Sequence, residues 1–282
     1  MFKIVPLNKE KRLKGNKPNV ATILGIPYYV ILLGLIIIPV VLIVFYAITI
    51  KVNELYYRFT FEYFVMFFKE PIFLKTLGDS LFLAVITTII TLIIGYPIAY
   101  VIAKRSPKTQ ALLILLVTAP MWINMLIRVL AWKQIFDMID TSLLGSNTAI
   151  IVGMVYAYLP FMVLPIYTVI SKIDPLLYEA SADLGANNFK TFLKVTLPLS
   201  VGGILSGVTM VLLPAATTIV IPKILGNGKY LIGSLIEDRF LKAGNWGYGS
   251  AIAIILSLII MAMVYITKKA DKNKEVEKFE DF

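Results

Sequence analysis

The sequence predicts an all-α, polytopic membrane protein: six transmembrane helices, with a polar helix-turn-helix between the fourth and the fifth. Three observations predict it. Of 282 residues, 59% are hydrophobic and 16% charged, with a mean hydropathy of +0.83. A water-soluble domain of this composition would keep apolar surface that it could neither bury nor solvate. The apolar residues gather in six runs, each close to the ~20 residues a helix needs to cross a hydrocarbon core. Between the fourth and fifth runs, residues 172–198 turn polar and carry helix start and stop signals.

Residues 1–23 form a basic tail with Lys3, Lys9, Lys11, Arg12, Lys14 and Lys17. The first apolar run, about 24–50, is too long for a signal-peptide core and lacks a small-residue cleavage site, so it reads as a retained span. A polar, aromatic stretch follows with Glu54, Arg58, Glu62, Lys69 and Glu70. Its rings, Tyr56, Tyr57, Phe59, Phe61, Tyr63 and Phe64, suit a headgroup-level belt or packing against neighbouring spans. Span two covers about 79–103 and ends at a basic turn, Lys104-Arg105-Ser106-Pro107-Lys108. Span three covers 110–131, and residues 132–148, with Asp137 and Asp140, read as a loop. Span four is 149–170 and span five 199–221. A glycine-rich loop, 222–248, leads to span six, 249–267, and a charged tail, 268–282. The six-span domain therefore occupies 24–267. Pro97, Pro160, Pro165 and Pro214 fall inside spans, where neighbouring groups can satisfy the carbonyls they free.

In the polar insertion, Asp174 can cap a helix whose first position suits Pro175, since no amide hydrogen is wasted there. Gly185 can end it, because glycine enters the left-handed conformation without steric cost. Asn187 or Asn188 can cap a second short helix, which Pro198 limits. Leu176, Leu177, Ala180 and Leu184 share a face of the first helix, with Glu179 and Asp183 beside them. Two carboxylates four residues apart repel unless a cation lies near, which points to a basic partner surface. Placing the amino terminus inside puts 17 Lys and Arg on that side and 10 on the other. Both termini and the hairpin are thus expected in the cytoplasm.

The chain has no Cys and no His. Disulfides, thiolate metal sites and enzymes relying on either residue are excluded, and no metal site is expected. A net charge of +10 could suggest nucleic acid, but the basic residues flank apolar spans, which membrane topology explains better. Gly226-Asn227-Gly228-Lys229 lacks the first Gly and the Ser/Thr of a P-loop and reads as a turn.

Glu179-Ala180-Ser181, then Gly185, then Val195-Thr196-Leu197-Pro198 resembles the EAA loop of ABC importer permeases at the same spacing. Ser181 stands where that motif has its second Ala, and Val195 where it has Ile. Farther along, Leu-Pro-Phe-Met-Val-Leu-Pro at 159–165, Leu-Leu-Pro-Ala at 212–215, Ile221-Pro222, Leu225-Gly226, Ile232-Gly233 and Asn245-Trp246-Gly247-Tyr248-Gly249-Ser250 resemble the B-type permeases of spermidine/putrescine importers. The likeness reaches back more loosely through Gly95-Tyr96-Pro97-Ile98-Ala99-Tyr100. It implies a type I ABC importer permease fold in a prokaryotic plasma membrane. It also implies a second permease subunit, an ATPase dimer holding the ATP-Mg, and an extracytoplasmic substrate-binding protein. This chain would itself carry no cofactor. The 172–198 insertion becomes the cytoplasmic coupling loop, with Glu179, Ala180, Ser181, Gly185, Val195, Leu197 and Pro198 as ATPase-coupling residues.

A flexible polycation would be met by carboxylates and aromatic faces, yet no Asp or Glu falls centrally in any span. Candidates at the outer mouth are Asp79, Asp137, Asp140, Glu237 and Asp238. Deeper candidates are Trp122, Tyr156, Tyr158, Thr209 and Thr217. Arg128 is expected to snorkel or to pair with an acid such as Asp137. Alternatives are an importer of this class with another small solute, or a stand-alone secondary transporter or channel. The last would need intramembrane ionisable residues for ion coupling and would leave the hairpin without a role.

Overall fold

A computed structural model describes residues 20–53 and 56–280. The basic residues from Lys3 to Lys17, and Glu54, lie outside the described residues. Helices α1 (Val20–Leu32) and α2 (Ile38–Ala47) join through a π turn at Leu33–Ile37. Pro39, next in line, has no amide for the preceding turn, and the widened turn accommodates its ring. This first span is almost unburied within the chain. A small antiparallel hairpin follows, β1 (Thr49–Lys51) on β2 (Tyr57–Phe59), with Thr49 opposite Phe59. Then α3 (Glu62–Lys69) buries Phe67, whose ring stacks on Phe73 at 6.1 Å. The aromatic stretch therefore divides: Tyr63 and Phe64 pack against the core, while Tyr56, Phe59 and Phe61 stay exposed.

The core is a layer of three helices: α4 (Pro71–Ala103), α7 (Asn147–Ile170) and α11 (Val201–Thr217). Small residues let them approach. A Cβ on Gly95 of α4 would lie 3.1 Å from Met162 Cγ, and one on Gly207 of α11 would lie 2.7 Å from Met162 Sδ. Fully buried Met162 thus fills the seam between two glycines, the close backbone approach on which helix packing in lipid depends. Buried hydroxyls on α4 bond back to their own helix, Thr88 to Ala84 O at 2.7 Å and Thr91 to Thr87 O at 2.6 Å. No polar hydrogen there is left in an apolar medium.

Several expected boundaries move. Span two begins at Pro71 rather than 79, since Pro71 at the first helical turn starts a helix wherever apolar content begins. The expected span 110–131 is broken into α5 (Pro107–Thr118), a 3₁₀ turn at Ala119–Trp122 and α6 (Met125–Ile139), with a bend of 92°. Asn124 caps α6, its side chain accepting from Leu126 N at 2.8 Å. The expected loop 132–148 is helical as far as Ile139. Span five ends at Thr217, and the expected loop after it contains α12 (Val220–Leu225) and α13 (Ile232–Glu237). The last helix, α14 (Trp246–Glu280), packs against α2, where Tyr46 meets Trp246 at 6.2 Å. Among the described residues, four helices are long and apolar enough to cross a membrane, and six spans result if each of the two bent pairs counts as one.

Candidate functional site

Between α7 and α11 the chain forms a helical hairpin whose ends are fixed by side chains. Asp174 Oδ1 accepts from Leu176 N at 2.9 Å, with Pro175 opening α8 (Pro175–Asp183). A cap of this kind is worth about 1 kcal/mol. The far end closes by two backbone bonds, Gly185 N to Ala182 O at 2.8 Å and Ala186 N to Ser181 O at 3.1 Å. Gly185 sits at φ +74°, the left-handed position such a closure requires. Asn187, not Asn188, caps the second helix, accepting from Lys190 N at 2.8 Å. That helix runs through α9 (Asn188–Thr191), a π turn at Phe192–Thr196 and α10 (Leu197–Leu199), then bends 63° into α11. Pro198 lies within it rather than limiting it. The bend is at Ser200, whose Oγ lies 2.8 Å from the Tyr96 hydroxyl of α4.

The residues of the sequence motif take two directions. Glu179, Ala180 and Gly185 are exposed, and so are Leu176, Leu177, Leu184, Phe189 and Leu193. Leu184 is 88% exposed. An apolar patch rimmed by Glu179, Asp183, Lys190 and Lys194 has the character of a protein-docking face. Val195, Leu197 and Pro198 are half-buried, and Leu197 packs on the core. Ser181 is buried, its Oγ 2.8 Å from Thr191 Oγ1, so one of the two residues that depart from the motif ties the two helices together.

The candidate path residues do not converge. Tyr158 is buried and donates to Pro214 O at 3.2 Å, one of the last carbonyls of α11, which has no later helical amide to meet. Thr209 and Thr217 bond back to Leu205 O and Leu213 O at 2.9 and 3.1 Å. Tyr156 packs against Trp132, rings 5.6 Å apart, beside an apolar recess of about 540 Å³ between α4, α6 and α7. Trp122 projects from the broken span, 85% exposed. Asp79 is exposed on α4. Asp140 caps a short turn, and the Ser142 hydroxyl and amide hold its carboxyl below the ordinary range. Glu237 is paired with Lys223 at 3.4 Å, and Asp238 is also engaged, so neither is the open loop charge its position suggests. Among the described residues, no Asp or Glu is buried.

Arg128 corrects its expectation. Its Nε and Nη1 are buried without a hydrogen-bond partner among the described residues, while Asp137 is exposed. The 92° bend separates α5 from α6, and Arg128 sits in the first turn of α6 with these two nitrogens buried instead of paired with Asp137. At Gly226–Lys229 the backbone turns through left-handed Asn227 and Gly228, and the Lys229 ammonium donates to Asn147 Oδ1.

Comparison with known proteins places this geometry among relatives. Residues 95–273 match the family described as binding-protein-dependent transport system inner membrane component. The chain is 39% identical over 226 residues to the spermidine/putrescine transport system permease protein PotB of Haemophilus influenzae, covering 74% of this chain and 79% of that one. It is 35% identical to the Escherichia coli protein of the same name, covering 74% and 82%. Among solved structures, a subunit of a bacterial ABC transporter involved in the import of the acidic polysaccharide alginate superposes with a TM-score of 0.73. That match has 16% identity and covers 91% of this chain and 96% of that one. A chain of the MetNI methionine ABC transporter in an inward-facing conformation gives 0.55 at 17% identity, covering 72% and 94%. At these identities the structures speak to the fold alone.

Proposed function

The chain belongs to the family of binding-protein-dependent transport system inner membrane components, a multi-pass plasma-membrane family, and from that premise we propose that it is one permease subunit of an ATP-driven importer of spermidine and putrescine. The observation that carries the cargo is the 39% identity over 226 residues to a relative of that name. The hairpin is the docking element for a separate ATPase, which holds the ATP-Mg. Its exposed apolar face and its fixed ends suit a surface that must transmit motion without deforming. On this reading both termini and the hairpin are cytoplasmic, in line with the excess of Lys and Arg on that side. A binding protein delivers cargo at the opposite mouth, and a second permease completes the pathway. Among the described residues no Asp or Glu is buried, and on this reading the second subunit supplies further carboxylates to a polycation within the membrane.

Arg128, whose buried Nε and Nη1 have no hydrogen-bond partner among the described residues, favours a second reading, the same importer class with an anionic solute. One experiment separates them: the assembled importer in liposomes, loaded with ATP and offered labelled spermidine with polyamine or anionic competitors. ATP-dependent spermidine uptake competed by putrescine is expected. Competition by anions alone, or no uptake of spermidine, would overturn the polyamine reading.

A further inference from the structure

We propose that Lys104 is a positioning residue, a latch that ties the hairpin to the end of α4 so that motion at α8 reaches the three-helix core. This rests on the reading of the hairpin as the motor's docking element. Lys104 caps the C-terminus of α4, where a positive charge is favoured by the helix dipole. Its Nζ lies 3.0 Å from the centre of the Tyr178 ring of α8 and 5.8 Å from that of Tyr100. Among the described residues no carboxylate pairs with it, the ion pair being Lys223–Glu237. A lysine simply solvated at a helix end would have no reason to sit over a ring. Tyr178 supplies its face rather than its oxygen, since its hydroxyl is buried without a hydrogen bond among the described residues.

The contact does not stop at Lys104. Tyr100 meets Phe192 of the hairpin's second helix edge to face at 5.5 Å, and Tyr96 meets the same ring at 5.7 Å. The Tyr96 hydroxyl then reaches Ser200 Oγ at 2.8 Å, at the bend where that helix becomes α11. Both helices of the hairpin thus bear on the C-terminal end of α4, the first through Lys104 and the second through Phe192 on Tyr96 and Tyr100. Since α4 packs at glycine distance on Met162 of α7, a displacement of α8 cannot be absorbed locally.

The test uses the assembled importer in liposomes with Lys104→Met, Tyr178→Leu, the pair together, and the conservative Lys104→Arg and Tyr178→Phe. ATP hydrolysis and spermidine uptake are measured side by side. Lys104→Met and Tyr178→Leu are expected to keep hydrolysing ATP while uptake per ATP falls by about 3-fold or more. The pair should be no worse than either alone, and the conservative variants should retain coupling. A second readout needs no cargo. The chain contains no cysteine, so spin labels at Ala182→Cys and Val101→Cys report the separation of α8 and α4 in a complex whose other subunits are cysteine-free. Lys104→Met should broaden that distance distribution, and Lys104→Arg should restore it. Unchanged uptake per ATP with an unchanged distribution would overturn the latch, as would additive losses in the pair. If the unmutated complex imports no polyamine, the cargo reading fails while the distance measurement still judges the latch.

Discussion

At Gly185 the constraint lies in the backbone rather than in side-chain space. A Cβ there would have nothing within 4 Å, so a substitution meets no steric wall. The penalty lies in the backbone, at φ +74°, where an L-residue costs roughly 1–2 kcal/mol and a β-branched one more. Gly185→Val is therefore expected to insert normally, displace the Glu179 face and abolish uptake, whereas Gly185→Asn should keep much of it, since Asn tolerates this conformation. Wild-type uptake by the valine variant, or failure to insert, would contradict this. Arg128 is the opposite case, a charge whose buried Nε and Nη1 find no hydrogen-bond partner among the described residues. An unpaired buried charge costs several kcal/mol, and an apolar replacement relieves it. In the isolated chain, Arg128→Met is expected to raise Tm by roughly 2 °C or more, and the gain should vanish in the assembled importer, where an acid of the second permease pairs with the guanidinium. A lower Tm in the isolated chain would show instead that the chain itself satisfies this charge.

Among the elements, the hairpin was legible because each of its ends is written in a residue type. Asp174, Pro175, Gly185 and Asn187 all act as their chemistry dictates. Removing residues 175–197 is accordingly expected to abolish co-purification with the ATPase while the remaining chain still inserts; a retained ATPase would move the docking site elsewhere. The broken span was not legible by hydropathy, since the run 110–131 is apolar on both sides of its 92° bend. The signal lay in Pro120, followed four residues later by Asn124, a helix end and a cap inside one apolar stretch. The strands β1 and β2, three residues each, are shorter than any periodicity can register. Helices α12 and α13, six residues each, hid in a stretch read as loop from its glycines. One of those, Gly233, lies inside α13 because Thr217 O occupies the space a side chain would need. For the candidate path residues, residue type alone does not separate roles: hydroxyls and rings serve helix carbonyls and packing as well as cargo, and Tyr158, Thr209 and Thr217 are engaged with carbonyls.

At the scale of the whole molecule, charge is distributed unevenly about an apolar slab. The chain carries +10 in all, yet its permease role requires a polycation to approach one mouth. On the proposed topology the loop charges of α12 and α13 face that mouth, and they cannot be counted singly, because Lys223 lies 3.4 Å from Glu237 and offsets it. The pair is exposed on the lysine side and half-buried on the glutamate side, so its attraction is screened and worth at most about 1 kcal/mol to stability. Its effect on a diffusing cation is separable from that, since steering depends on the local sign of the field and weakens with salt over a Debye length of about 8–10 Å. Breaking the pair from its two ends should then give opposite results. Lys223→Gln leaves Glu237 uncompensated and is expected to speed polyamine uptake at low ionic strength, with a steeper decline as salt rises. Glu237→Gln leaves Lys223 uncompensated and should slow uptake at low salt, with recovery as salt screens the repulsion. ATPase docking should be unchanged in both, because α12 and α13 are remote in sequence from the hairpin and share no hydrogen bond with it. Uptake measured across a salt series, with capture of the binding protein assayed in parallel, decides the matter. Opposite slopes with equal capture place the pair beside the cargo's approach, equal slopes remove it from that approach, and lost capture in either variant reassigns it to contact with the binding protein.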